Sequence, residues 1–199
     1  LFIEGNLAQN SGTTFTNYNH ANNALAHDTI YTITYETPTK IWMGNISGLE
    51  KFNGFGFTNY NLSTFGSDKV NCIYVDQNGN KWLGTNLNGV LKFDNVSFYS
   101  MMQLYGARPI QQGYIPYLYW PTFANTITRG DNGGVCFFGK PANFGTTGLI
   151  EVNGNQVYTY NSISGNNYSV NTILLAFDYT SNFLYLAAKS SGWSQPFLI

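Results

Sequence analysis

Charge is scarce in this chain. Only 10% of its 199 residues are Asp, Glu, Lys or Arg, against about 25% in an ordinary soluble domain. Nine basic and ten acidic side chains leave a net charge of -1, too little to build a surface for nucleic acid or an anionic membrane. Cysteine is nearly absent as well. Cys72 and Cys136 fall in different predicted strands, and both are expected to be buried free thiols, the usual state of an unpaired Cys. No apolar run approaches the roughly 20 residues of a membrane helix. The two histidines, His20 and His27, stand at no spacing that suggests a triad or a metal site. Neither Gly-x-Ser-x-Gly nor a phosphate-cradling loop occurs, so no cofactor is expected.

What the chain has is aromatic residues, at 17%, and 21 glycines, with Asn, Ser and Thr supplying most of its polarity. A chain kept in solution by amides and hydroxyls suits many short strands and turns. Its clearest unit runs from Val70 to Phe93, VNCIYVDQNGNKWLGTNLNGVLKF. Val70, Ile73 and Val75 are strand formers, and Asp76-Gln77-Asn78-Gly79-Asn80 holds the residues a hairpin needs where φ turns positive. Trp82 and Leu83 begin a return strand, and Gly84 lets the backbone pass close to a neighbour. Asn86-Leu87-Asn88-Gly89 turns the chain again, Val90-Leu91-Lys92-Phe93 is a third strand, and Asp94-Asn95 leads into a fourth near Val96–Tyr99. A four-stranded antiparallel meander of about 40 residues is the size of one β-propeller blade.

The unit recurs. Ile30, Ile33, Tyr35, Trp42 and Gly44 align with Val70, Ile73, Val75, Trp82 and Gly84 at an offset of 40, and FTNY at Phe15–Tyr18 returns at Phe57–Tyr60. A third copy is expected near Ile127–Tyr160, with Asp131, Phe137 and Gly139 matching Asp76, Trp82 and Gly84 at an offset of 55. A fourth begins near Val170, with Tyr185 in the Trp slot and Ala187 in place of the Gly. The expected organisation is a partial blade over 1–19, blades over 27–60, 68–99 and 125–160, an inserted loop over 100–124, and a partial blade over 168–199. With no signal peptide or initiator Met and a first residue in mid-blade, the chain reads as part of a longer polypeptide and a larger propeller. Further blades are expected in preference to closure of a small ring.

The pattern V-x-x-I-x-V-D-Q-N-G-N-K-W-L-G-T…N-G-V-L-K-F-D resembles the two-component regulator propeller repeat, most closely over 68–94 and well over 28–53. The resemblance implies an all-β propeller, usually in the extracytoplasmic sensor half of a bacterial signalling protein or in a secreted surface protein. It implies no particular ligand.

The carboxylates argue against an enzyme, which would need a pair of them free for chemistry. Glu36, Asp76, Asp131 and Asp178 occupy the first hairpin of successive copies, and Asp28, Asp68, Glu50, Asp94 and Glu151 also fall at positions fixed by the repeat. Asp76–Asn80 has oxygens that would suit calcium, but the equivalent slots lack them and a hairpin turn explains every version, so no metal is expected. Asn45, Asn61, Asn95 and Asn167 open glycosylation sequons by chance. The insertion after Tyr99 is the informative departure, because it brings Met101, Met102, Tyr105, Arg108, Tyr114, Tyr117, Tyr119 and Trp120 to one end of the sheets. In a meander the connections between blades and the loops between second and third strands emerge on one face. Phe144, Trp193, His27, Asp28 and Asn86 should join the insertion there. Long loops on a rigid scaffold are where binding residues concentrate, and aromatic rings suit a carbohydrate or another protein chain. The expected function is a noncatalytic ligand- or partner-binding module outside the cytoplasm. The alternative is a structural or adhesive module of a cell-surface or virion assembly, and a propeller lyase or glycosidase is the third reading.

Overall fold

The computed structural model describes residues 7–10, 12–22, 24–46, 48–66, 69–106, 123–130, 133–140, 148–160, 170–178, 183–190 and 197–198. Every sheet in it is a meander of sequence-adjacent antiparallel strands. β1 (Leu7–Asn10) and β2 (Phe15–Tyr18) form a two-stranded ribbon. Blade I is β3 (Ile30–Thr37), β4 (Lys40–Asn45), β5 (Gly48–Phe52) and β6 (Phe57–Tyr60). Blade II is β7 (Val70–Val75), β8 (Lys81–Thr85), β9 (Val90–Phe93) and β10 (Phe98–Ser100). A short helix, α1 (Met101–Tyr105), follows it. Blade III is β11 (Phe123–Arg129), β12 (Val135–Lys140), β13 (Gly148–Asn153) and β14 (Gln156–Tyr160). β15 (Val170–Asp178), β16 (Phe183–Ser190) and β17 (Phe197–Leu198) make a three-stranded blade IV.

The first strands of consecutive blades lie side by side, β3 on β7, β7 on β11 and β11 on β15. The glycines of the second strands permit this approach. A Cβ on Gly44 would stand 2.7 Å from the carbonyl oxygen of Val70, and one on Gly84 2.6 Å from that of Ala124. Blade II buries both of its faces, so the core is divided among the gaps between blades. Between I and II, Trp42, Leu49 and Leu62 meet Val70, Ile73, Leu83, Leu91 and Phe93. Between II and III, Trp82, Val90 and Met101 meet Ala124, Val135, Phe137, Ile150 and Val152. Leu62 and Met101 perform the same service, each plugging its gap as the chain leaves one blade for the next.

The strand pairings correct the alignment of the third copy. In blade II the backbone N–H of Asp76 donates to Asn80 and Trp82 pairs with Tyr74; in blade III Gly130 donates to Gly134 and Cys136 pairs with Thr128. A bulge between Ala124 and Thr126 matches the one between Val70 and Cys72. The register is therefore one residue off the sequence alignment. Cys136, not Phe137, stands in the Trp slot, and Gly130, not Asp131, stands in the place of Asp76. Because side chains alternate between faces, that one step moves Phe137 to the opposite face, where it is buried against blade II in the manner of Leu83. In blade IV the bulge between Val170 and Thr172 sets Ala187, opposite Leu174, at the Trp register. Tyr185 lies two residues nearer the hairpin, which is longer in this blade.

Candidate functional site

The two ends of the sheets differ in chemistry. One end carries the first hairpins and the turns between third and fourth strands. There Trp42 Nε1 donates to Glu36 Oε2 at 2.6 Å, and Trp82 Nε1 donates to Asp76 Oδ2 at 2.9 Å. Asp76 Oδ1 also accepts the backbone N–H groups of Asn78 and Asn80, each at 2.9 Å, and both of its oxygens accept from the Asn80 amide. Both oxygens of Asp76 are thus taken up by donors of its own hairpin. Lys81, whose side chain is fully buried, reaches from blade II to Glu36 of blade I at 3.2 Å. It also donates to Gly79 O at 2.7 Å and Asn95 Oδ1 at 2.5 Å, with the ammonium 4.3 Å from the centre of the Trp42 ring. Burial pushes the Glu36 carboxyl up, but the indole N–H of Trp42 and the ammonium of Lys81 outweigh it and hold it below its ordinary value. Burial lowers Lys81, an effect Glu36 only partly offsets. Asp94 accepts from the backbone N–H groups of Ser97 and Val96, which lower its pKa.

The other end carries the connections between blades and the loops between second and third strands. In the connection entering blade I, His20 N–H donates to Asp28 Oδ1 at 2.6 Å, and the His20 ring meets Leu25 O at 3.0 Å. Leu25 is buried beneath it with Met43 and Phe52. Glu50 in β5 accepts from Ala26 N–H at 3.0 Å and Asn45 Nδ2 at 3.1 Å. Burial raises its pKa, against these two hydrogen bonds. His27 and Asp28 are both exposed, but Asp28 is in use as the clamp on His20. Asn45, buried at the foot of this loop, cannot serve as a glycosylation acceptor in the folded chain.

Tyr105 follows blade II. It ends α1, whose start is fixed by a reciprocal capping box between Ser100 and Gln103. Met101 is buried, while Leu104 and Tyr105 pack partly buried against the core between blades II and III. The root of the insertion is therefore anchored structure. Arg108, Tyr114, Tyr117, Tyr119, Trp120, Phe144 and Trp193 lie outside the described residues. At the same end, Leu87 is 61% exposed, Met102 52% and Ile46 45%. Leu87 and Ile46 carry no sequence signal, since a loop Leu or Ile between two apolar strands has the composition of the core.

Among the described residues no group of three or more His, Cys, Asp and Glu could hold a metal ion, and no helix is long and apolar enough to cross a membrane. Cys72 and Cys136 are not joined in a disulfide, and burial pushes Cys72 up to about 12, which makes it a poor nucleophile.

No family model and no curated protein matches the chain. Solved structures do. A catalytically inactive virginiamycin B lyase from Staphylococcus aureus, with quinupristin, is similar at a TM-score of 0.55 and 17% identity, over 85% of this chain and 55% of that one. The extracellular domain assigned to a one-component system of B. thetaiotaomicron is similar at 0.58 and 17% identity, over 93% of this chain and 26% of that one. A protein assigned as a gluconolactonase is similar at 0.52 and 11% identity, over 88% of this chain and 61% of that one. At these identities the likeness is one of fold, and the fold is a β-propeller of which this chain spans a part. The extracellular sensor domain is the kind of protein that the repeat between Val70 and Asp94 resembles. The similar structures include enzymes as well as such domains.

Proposed function

We propose that the chain is a noncatalytic binding module of an extracytoplasmic bacterial protein, and that it takes a carbohydrate or another protein chain on the face where the inter-blade connections emerge. The observation that carries the noncatalytic half is the employment of the acids. Glu36, Asp76, Glu50, Asp94 and Asp28 each accept hydrogen bonds from the scaffold around them, and an acid held as a scaffold acceptor is not free for proton transfer. Asp76 and Glu36 in addition stand in the same place in successive blades, as expected of a fold requirement.

The binding half is supported by the apolar side chains that gather where the inter-blade connections and the loops between second and third strands emerge together. Leu87, Met102 and Ile46 are exposed apolar side chains on this face. Tyr105 leaves blade II at this end, and the aromatic residues that follow it in the sequence, Tyr114, Tyr117, Tyr119 and Trp120, are proposed to extend this surface. Sugars present apolar ring faces to such residues, and protein partners anchor on Tyr and Trp. The similar extracellular domain assigned to a one-component system supports the location outside the cytoplasm. The test is a panel of immobilised bacterial and host polysaccharides, read for retention of the chain and for shortening or unsaturation of each polymer. Retention without product is expected. Catalytic turnover of any polymer would overturn the noncatalytic reading.

A further inference from the structure

Blade I has a face that is only half covered. Its outer part packs on the β1–β2 ribbon, with Leu7 and Tyr18 lying against Met43, Phe52 and Phe57; the Tyr18 ring is 5.4 Å from Phe52 and 5.2 Å from Phe57. Its inner part is bare. Ile33 is 55% exposed and Tyr35 63%. The same two positions in blade II are Ile73, which is 8% exposed, and Val75, which is packed on the core; Trp42 of β4 and Leu49 of β5 cover them. The difference between Ile33 and Ile73 is thus a difference in what lies opposite.

The ribbon shows what is missing opposite Ile33. Leu7 pairs with Tyr18 as Leu49 pairs with Tyr60, so β1 and β2 are the third and fourth strands of a blade. In blades I to III the third strand bonds to a second strand on its inner side. Among the described residues the inner edge of β1 has no such partner. An unpaired edge beside an apolar surface is an open template for strand addition.

We infer that the inner edge of β1 and the Ile33–Tyr35 surface form one docking site, filled by a β-hairpin whose second strand runs directly into β1. The chain order commits the source. In blades I, II and III the second strand immediately precedes the third in the sequence, as β4 precedes β5. The hairpin is therefore carried by the polypeptide leading into Leu7, not by a separate subunit. Its register is set too. Trp42 pairs with Lys51, and the counterpart of Lys51 in β1 is Gln9, so the residue opposite Gln9 should be a large aromatic. The Trp42 ring of blade I meets the Lys81 ammonium of blade II, whereas the added ring would meet Ile41, the counterpart of Lys81 in blade I, so this gap is the more apolar of the two. The inference concerns a different surface from the binding face proposed above and stands or falls without it.

The test uses thiol labelling. In the 199-residue chain, the Ile33→Cys thiol should react with maleimide at a rate near that of the urea-unfolded chain, while the Ile73→Cys thiol reacts at least about tenfold more slowly, through opening alone. Slow labelling at position 33 at every protein concentration would show that the face is covered already, and slowing that grows with concentration would assign it to a second copy; either result overturns the inference. A second variant then supplies the occupant: a copy of residues 28–47 joined directly before residue 6, the spacing by which β4 runs into β5. In that extended chain the position-33 thiol should slow to the rate of the position-73 thiol and the β1 amides should gain hydrogen-exchange protection. Replacing the copied Trp42 by Ala should restore fast labelling. Unchanged labelling and unchanged β1 exchange in the extended chain would contradict the inference.

Discussion

Trp82 donates its indole N–H to Asp76 Oδ2 at 2.9 Å across the mouth of its own hairpin, and Trp42 and Glu36 repeat the contact one blade earlier. The acid fixes the turn with one oxygen and the core indole with the other, so turn geometry and core packing are set together. Truncating Trp82 to Ala should cost about 3–5 kcal/mol as a core deletion. The Trp82→Phe variant should lose less, about 1–2 kcal/mol, the cost of a buried acceptor deprived of one donor. Urea unfolding followed by far-ultraviolet circular dichroism reads both, and a Trp82→Phe variant as stable as the parent would show that the hydrogen bond contributes nothing.

Lys81 ties neighbouring blades through Glu36, and its Nζ contacts are the Glu36 carboxylate, two amide-type oxygens and an indole face. Removing Glu36 alone leaves that ammonium buried with a partner missing. Glu36→Ala should therefore destabilise by about 3 kcal/mol, while Lys81→Met, an apolar chain of similar length, should cost about 1 kcal/mol or less. A double-mutant cycle by chemical denaturation measures the difference. If Lys81→Met proved the more damaging, the pair would be a net source of stability and not a device that fixes which blade faces which.

Glu50 gives a pH signature. Burial raises its carboxyl above the ordinary value of 4.5, so the folded chain holds this proton at higher pH than the unfolded chain. The charged form then costs stability at pH above the raised value, and the cost disappears below 4.5. Glu50→Gln keeps an oxygen to accept the Ala26 N–H and removes the titration. Its stability relative to the parent should rise as pH is taken from about 4 to about 7, and parallel stability curves over that window would contradict the assignment.

The glycines of the second strands are fitted to the next blade. A Cβ at Gly44 would press on the Val70 carbonyl, and one at Gly84 on the Ala124 carbonyl and the Cys72 sulfur. Backbone cannot yield as a flexible side chain can, so Gly44→Ala and Gly84→Ala should each destabilise by about 1–3 kcal/mol. Gly56→Ala, with nothing within 4 Å of the added methyl, should change stability by less than about 0.5 kcal/mol. Thermal unfolding of the three variants checks the ranking.

The blades were legible where local chemistry repeats. Asp76-Gln77-Asn78-Gly79, Trp82 and Gly84 mark a turn, a core position and a close approach, and blade I carries the same marks at an offset of 40. Blade III misled for a physical reason. Its hairpin has lost the acid and the indole together, with Gly130 for Asp76 and Cys136 for Trp82, while Phe137 one residue on offers a tempting aromatic. The Glu151 carboxylate oxygen lies 2.5 Å from where a Cβ on Gly130 would be, and the Cys136 sulfur 2.9 Å from it, and such a compensation is visible only when three strands are in register. At the candidate site, the loops that gather at one end followed from the meander. That Tyr105 would root the insertion in the core, and that Asp28 would be committed to His20, could not be read from spacing, because both depend on contacts between segments whose packing the sequence does not encode locally.

Binding at the face of the inter-blade connections is separable by substitution from binding at the hairpin end. On the polysaccharide panel three pairs of substitutions are measured side by side: Leu87→Asp with Met102→Asp, Tyr117→Ala with Trp120→Ala, and Phe55→Asp with Val96→Asp on the opposite end, where Phe55 is 99% exposed. The first two pairs should each weaken binding by roughly 2 kcal/mol, about thirtyfold, with unchanged melting temperature, and the third pair should leave binding intact. Loss of binding in the Phe55–Val96 pair, with the other two binding as the parent does, would place the site at the hairpin end and contradict the proposed binding face.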